Sequence, residues 1–282
     1  MTTNEYVLNG ETAAPDLPAG VSLTAVGIAF GRVAESRRAD QLFDDPYARH
    51  FVAATGWEAT EQVHAITPYV ALRTRFYDDR LRGAAQSGIR QVVLLAAGLD
   101  TRAFRLNWPS GTRLFEVDLP RLLEFKERVL GSVSAAPACE RTVVPADLYD
   151  PVWTSALTGA GFRPEEPTAW QIEGLLPYFT EEENDRLLSA VGDLSAPGTV
   201  LALDHIDSAS MRGRLRAMAA EVRSMGADWK SVLDDPGTWL AGHGWRMTDR
   251  PDFAELAARY GRAAEPGVPT GTSGLVGAVR QR

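Results

Sequence analysis

Five short apolar runs, each closing at or beside a glycine or an acidic residue and each followed by enough chain for a helix, constrain this fold most. They are QVVLLAA (91–97), TRLFEVD (112–118), RTVVPAD (141–147), TAWQIEG (168–174) and GTVLALD (198–204). Runs of Val, Leu and Ile without polar alternation suit strands buried on both faces, which belong in parallel sheets flanked by helices. The rhythm predicts an α/β architecture of βα units.

Helical signals surround these runs. Leu23, Val26, Phe30 and Val33 form an apolar stripe over 21–38, with Ser22 or Thr24 able to cap its first turn. FDDPYARHF (43–51) carries a helix-breaking proline, and a second long helix is expected from Pro68 to Gly88. Pro120 stands at a helix start, and Thr180 followed by Glu183 spells a capping box. GWRMTDR (244–250) and LVGAVRQR (275–282), separated by the helix-like FAELAARYG, predict two final strands. The expected organisation is one domain: a flexible leader over 1–20, a helical region over 21–88 covering part of the site, and the sheet core over 89–282. The opening residues carry neither a basic start nor an apolar core, so no secretory signal is expected.

Composition narrows the function classes. No apolar run reaches the roughly 18–20 residues of a membrane span, and no membrane partner is expected. A formal net charge of -8 disfavours nucleic acid as a partner. One cysteine, Cys139, and four scattered histidines make neither a disulfide nor a zinc-ligand pattern, so no metal and a cytoplasmic setting are expected.

In open parallel sheets, ligands gather at the carboxyl ends of the strands. Here those ends carry Gly98, Asp118, Asp147, Glu173 and Asp204 or His205. Gly98 lets backbone approach a ligand, and Asp118, a carboxylate ending the second strand, is placed as dinucleotide-binding folds place their ribose acceptor. The competing reading of Asp118 is a cap for the helix at Pro120. A nicotinamide dehydrogenase would use the same two residues. Its G-x-G-x-x-G fingerprint is missing, however, because AAGLDTR keeps one glycine of three.

QVVLLAAGLDTRAFRL, FEVDLP, PADL and EGLLPYF, in that order, resemble the leucine carboxyl methyltransferase family and its actinobacterial branch. TAVGIAFGRVAESRR, FDDPYA, LRTRFYDD and LAGHGW extend the resemblance over roughly 21–250. It implies a Rossmann-like class I methyltransferase fold: a seven-stranded, mostly parallel sheet with an antiparallel last strand and an N-terminal helical extension. It also implies S-adenosyl-L-methionine as the methyl donor. Carried over residue by residue, the resemblance assigns Arg73, with Arg75 as alternative, to the donor's methionine carboxylate, Gly98 to the turn and Asp118 to the ribose. Asp147 and Leu148 are assigned to the adenine, and Glu173 to the donor's ammonium. Two positions depart from the family pattern: Ala96 stands where many members have glycine, so that a methyl group narrows the methionine end, and Pro177 stands where an aliphatic residue is more usual.

Methyl transfer from a sulfonium is an in-line displacement, so orientation is the main task. A carboxylate acceptor is already ionised at neutral pH and needs no base, whereas a phenol or alcohol would use one, with His205 the best placed. Tyr77, Tyr178 and Phe179 are candidate walls of an acceptor pocket. The expected activity is O-methylation of a small molecule, a carboxylic acid or hydroxyl compound such as a polyketide-like secondary metabolite. A protein or peptide C-terminus as acceptor, and a non-catalytic donor-binding relative, are the alternatives.

Overall fold

The computed structural model describes residues 22–57, 61–213, 215–224, 226–262 and 274–281. The leader expected over 1–20 lies outside them. The strands are β1 (Gln91–Leu95), β2 (Arg113–Asp118), β3 (Glu140–Pro145), β4 (Thr168–Ile172), β5 (Val200–His205), β6 (Trp245–Asp249) and β7 (Gly274–Arg280). The helices described are α1 (Ser22–Ser36), α2 (Ala48–Thr55), α3 (Glu61–Gln86), α4 (Arg102–Arg105), α5 (Pro120–Ser132) and α6 (Trp153–Gly159). Beyond them come α7 (Glu181–Asp193), α8 (Ser208–Arg212), α9 (Arg216–Ser224), α10 (Pro236–Gly242) and α11 (Phe253–Arg259).

One seven-stranded sheet runs in the order β3-β2-β1-β4-β5-β7-β6. β1 pairs in parallel with β2 and β4, and β7 inserts antiparallel between β5 and β6. The strand order reverses beside β1, so the carboxyl ends of β1 and β4 flank a crevice.

Alternation along each strand explains the unbroken apolar runs. Val93, Leu95, Phe115, Val117, Trp170, Ile172, Leu201 and Leu203 face one side, packing with Trp153 and Leu157 of α6, Leu187, Leu188 and Val191 of α7, and Leu240 of α10. Val92, Leu94, Leu114 and Ala169 face the other, against Val26 and Ala29 of α1, Phe51 of α2, and Leu122, Phe125 and Val129 of α5. Ala202 and Leu275 meet Leu72, Phe76 and Tyr77 of α3 and Phe253 and Leu256 of α11. Trp170 is 1% exposed at the centre of the first layer. Truncating such a residue to alanine costs about 3–5 kcal/mol.

Helix termini follow their local signals. Thr180 and Glu183 form the expected reciprocal capping box, and Pro120 opens α5. Asp45 turns FDDPYA into a helix start, its Oδ1 accepting from the Tyr47 and Ala48 amides. One boundary differs from expectation: α3 begins at Glu61, with Pro68 inside it. Proline removes one helical hydrogen bond, and the burial of Val70, Leu72, Phe76 and Tyr77 beyond it offsets that loss. α1 crosses α3 closely because Gly31 offers no Cβ; one built there would lie 3.0 Å from the Val70 side chain.

Candidate donor-binding site

The chain leaves β1 through Ala96 and Gly98, both at φ +51°. For Gly98 this left-handed conformation is free, whereas Ala96 bears the cost of a Cβ in the same region. The departure at position 96 thus carries a backbone cost of its own, beside the methyl group it adds at the methionine end. The Gly98 amide donates to Asp118 Oδ2 at 2.6 Å, and the Leu119 amide donates to Oδ1 at 2.6 Å. Burial pushes the Asp118 carboxyl above its ordinary value, while these two amides pull it back. The capping reading of Asp118 is not realised, since Leu119 occupies the N-cap of α5 and makes no side-chain cap. Each carboxylate oxygen keeps a second acceptor site, the pattern a vicinal diol needs.

A second cluster forms where α3 crosses the ends of β4 and β5. Arg73 Nε lies 3.0 Å from Glu173 Oε1, and its Nη1 donates to the Tyr69 hydroxyl at 2.9 Å and faces Asp204 Oδ2 at 3.5 Å. Burial opposes the Arg73 charge, but Tyr69, Glu173 and Asp204 outweigh it, so the guanidinium stays ionised. Glu173 Oε2 accepts from Arg102 Nη1 and Gln171 Nε2, both at 2.8 Å. The strand-end turn needs Gly174, at φ +68°, because a Cβ there would approach Arg73 Nη1 to 3.2 Å. The Gly174 amide donates to Asp204 Oδ1 at 2.6 Å. Burial raises the Asp204 carboxyl, with Arg73 opposing. Arg73 Nη2 donates no hydrogen bond among the described residues, and Glu173 Oε1 carries only the Arg73 pair. A guanidinium arm beside a carboxylate oxygen offers opposite charges to the two ends of a zwitterion. Arg75, the alternative, is taken up by Asp79 and the Leu42 carbonyl.

Tyr77 does not line a pocket. It is fully buried, and its hydroxyl donates within reach of the Ile172 carbonyl and Asp204 Oδ1, each at 3.2 Å. The expectation rested on an aromatic face with a polar handle meeting a ligand; here both the face and the hydroxyl are taken up by the packed interface of α3 with the sheet. Phe179 is also buried, its ring stacked on Tyr149 at 4.3 Å, so Tyr149 rather than Phe179 meets solvent. Tyr178 remains half-buried, edge-on to Trp229 at 6.5 Å. Pro177 sits in the short 3-10 turn Leu176–Tyr178 that sets this rim. Asp147 is exposed and holds the Tyr149 amide at 2.9 Å, with Leu148 half-buried beside it.

His205 is 3% exposed at the end of β5. Its Nδ1 lies 2.8 Å from the Leu233 carbonyl, which can only accept, so Nδ1 bears the proton. Nε2 is buried with no hydrogen-bond partner among the described residues. Burial, reinforced by Arg250, pulls the imidazole down to about 4. A base that weak is poorly matched to a phenol or alcohol, which corrects the expectation of His205 as a general base. His243 accepts a turn role, its Nδ1 2.9 Å from the Trp239 carbonyl.

Charged residues that motif reasoning passed over tie the cluster together. Arg32 pairs with Asp45 at 3.0 Å and donates to the Leu99 carbonyl at 2.6 Å, anchoring α1 beside the β1 turn. Arg102 reaches Asp78, Asp100 and Glu173, and Arg105 grips Asp78 with both terminal nitrogens. Their signal was present in GLDTRAFR, where acid and base alternate inside an apolar context. Among the described residues no group of three or more His, Cys, Asp and Glu is arranged to hold a metal. No helix among them is long and apolar enough to cross a membrane.

The profile of the leucine carboxyl methyltransferase family matches residues 25–192. The chain belongs to that family. A Frankia alni protein named as a candidate S-adenosyl-L-methionine-dependent methyltransferase is 48% identical over 258 residues, covering 88% of this chain and 91% of its own. Solved structures share the fold. A Thermobifida fusca protein described as a candidate methyltransferase superposes with a TM-score of 0.59 at 18% identity, over 98% of this chain and 99% of its own. Magnesium protoporphyrin IX methyltransferase from Synechocystis, with bound SAH, gives 0.53 at 13% identity, over 80% and 90%. FDDPYA and GLDTRAFRL, two of the segments that carry the resemblance, supply buried anchors described above: Asp45 from the first, and Asp100, Arg102 and Arg105 from the second.

Proposed function

We propose that this S-adenosyl-L-methionine-dependent methyltransferase methylates a carboxylate oxygen of a small molecule. The carrying observation is His205: its Nδ1 is committed to the Leu233 carbonyl, its Nε2 is buried, and burial pulls it down to about 4, so this imidazole is no base suited to a hydroxyl acceptor. A carboxylate needs none. The family's own description, a carboxyl methyltransferase, supports the same choice.

The donor supplies an electrophilic methyl on its sulfonium. Asp118, with one free acceptor site on each oxygen, suits the ribose hydroxyls. Arg73 Nη2 suits the methionine carboxylate and Glu173 Oε1 the ammonium, while Asp147 and the Leu148 backbone are read as adenine partners. α1, whose Ala25 lies against Gly98, is read as part of the cover. Tyr178 and Trp229 offer aromatic surface to a flat apolar acceptor of polyketide-like, secondary-metabolite type. One free cysteine fits a cytoplasmic setting.

The test uses donor labelled in its methyl group with three acceptor panels: small carboxylic acids, phenols, and peptides with free C-termini. Methyl esters release volatile labelled methanol in mild alkali, and ethers do not. Alkali-labile label on small acids alone is expected. Stable label on phenols, or transfer confined to peptides, would overturn the acceptor assignment.

A further inference from the structure

Arg102 is 2% exposed, and its guanidinium spends every arm inside the protein. Nε donates to Asp78 Oδ1 at 2.7 Å, Nη1 donates to Glu173 Oε2 at 2.8 Å and also to Asp100, and Nη2 donates to the Thr74 carbonyl at 3.3 Å. Its face lies over the Tyr77 ring at 5.6 Å. Asp78 is itself clamped by Arg105 at 2.6 and 2.7 Å, so it is a fixed anchor.

These contacts join the three elements that carry the proposed methionine-end residues. Thr74 and Asp78 lie on α3 with Arg73, Asp100 follows the turn at Gly98, and Glu173 directly follows β4. Glu173 stands between two guanidiniums, with Oε2 held by Arg102 and Oε1 facing Arg73. We infer that Arg102 is a positioning residue for the donor: by holding Glu173 Oε2, it fixes the carboxylate so that Oε1 meets Arg73 through Nε, leaving the Arg73 Nη2 arm to receive the donor's carboxylate with Oε1 beside it for the ammonium. Without that hold, Glu173 is free to turn both oxygens onto Arg73 and to take up the Nη2 arm that the ligand would use. Lysine cannot replace the hold, because a single ammonium lacks the planar fork that reaches Asp78, Glu173 and Thr74 at once.

The inference rests on the reading of Arg73 and Glu173 as the methionine-end site, and the experiment separates the two. Binding of S-adenosylhomocysteine and of 5′-methylthioadenosine, which keeps the nucleoside but lacks the amino-acid end, is measured by calorimetry for wild type, Arg102→Lys and Arg73→Ala. Arg102→Lys keeps the buried positive charge, and its retained binding of methylthioadenosine reports that it is folded. The expected result is a loss of about tenfold or more in homocysteine-ligand affinity, with methylthioadenosine affinity within about twofold of wild type. No loss of either ligand, or a loss shared equally by both, assigns Arg102 to the fold alone and overturns the inference. Arg73→Ala reports separately: if it leaves the ratio of the two affinities unchanged, the methionine-end site itself is misplaced.

Discussion

The Gly98 amide donates to Asp118 Oδ2 at 2.6 Å, so the turn after β1 and the end of β2 form one unit before any ligand arrives. The carboxylate proposed to receive the ribose also holds the glycine turn, so on that reading binding and local order depend on the same side chain.

Replacing Asp118 with alanine removes both its ligand-facing acceptor sites and the partner of two backbone amides. Affinity for S-adenosylhomocysteine is expected to fall by about 10- to 100-fold, with about 1–3 kcal/mol lost from unfolding free energy. Calorimetric titration and urea denaturation measure the two effects; unchanged affinity would remove Asp118 from the donor site.

Ala96→Gly is expected to stabilise the protein. A left-handed residue with a Cβ carries roughly 1–2 kcal/mol of strain, and part of this gain is returned as greater freedom of the unfolded chain. The net expectation is about 0.5–1 kcal/mol in urea denaturation, with donor affinity equal to or better than wild type. A destabilised variant would contradict the backbone account of this position.

His205 ties stability to pH with a definite sign. Its folded value, about 4, lies below its ordinary 6.5, so the unfolded chain binds the proton more readily between those limits. Stability is therefore fully present above about 6.5 and is lost as pH falls toward 4, by up to about 3 kcal/mol from this group. His205→Asn, which can keep a donor to the Leu233 carbonyl, should flatten unfolding free energy across that window. Turnover in the wild type should show no ionisation of this group near neutrality; an inflection near pH 6.5 that His205→Asn abolishes would restore it as a base.

Thr180→Ala tests a purely local element. It removes one half of the capping box that starts α7 and should cost about 1 kcal/mol, leaving S-adenosylhomocysteine affinity unchanged. A matching loss of affinity would mean that α7 positions the site through its first turn.

Much of this protein was legible in its amino-acid order because the signals are local. The five apolar runs and the two later segments, GWRMTDR and LVGAVRQR, marked the seven strands of the sheet to within two or three residues, and the Gly98–Asp118 spacing marked the turn and the acid that the fold joins by a hydrogen bond. Thr180–Glu183 and Pro120 announced their helix starts for the same reason: each acts on backbone groups within one turn of itself.

Only the tertiary structure decided the rest, because it depends on groups far apart in the chain and on exclusion of water. Pairing placed β7 between β5 and β6, and packing carried α3 past Pro68 back to Glu61. Burial turned Tyr77 from a candidate pocket wall into a support for Asp204, and it weakened His205 as a base. Arg73 and Glu173 could be named separately from the sequence, but their apposition, with Arg102 holding the carboxylate from the other side, exists only once α3, the β1 turn and β4 have converged. Periodicity and turn chemistry write themselves into neighbouring residues, whereas ion pairs and desolvation belong to the folded whole.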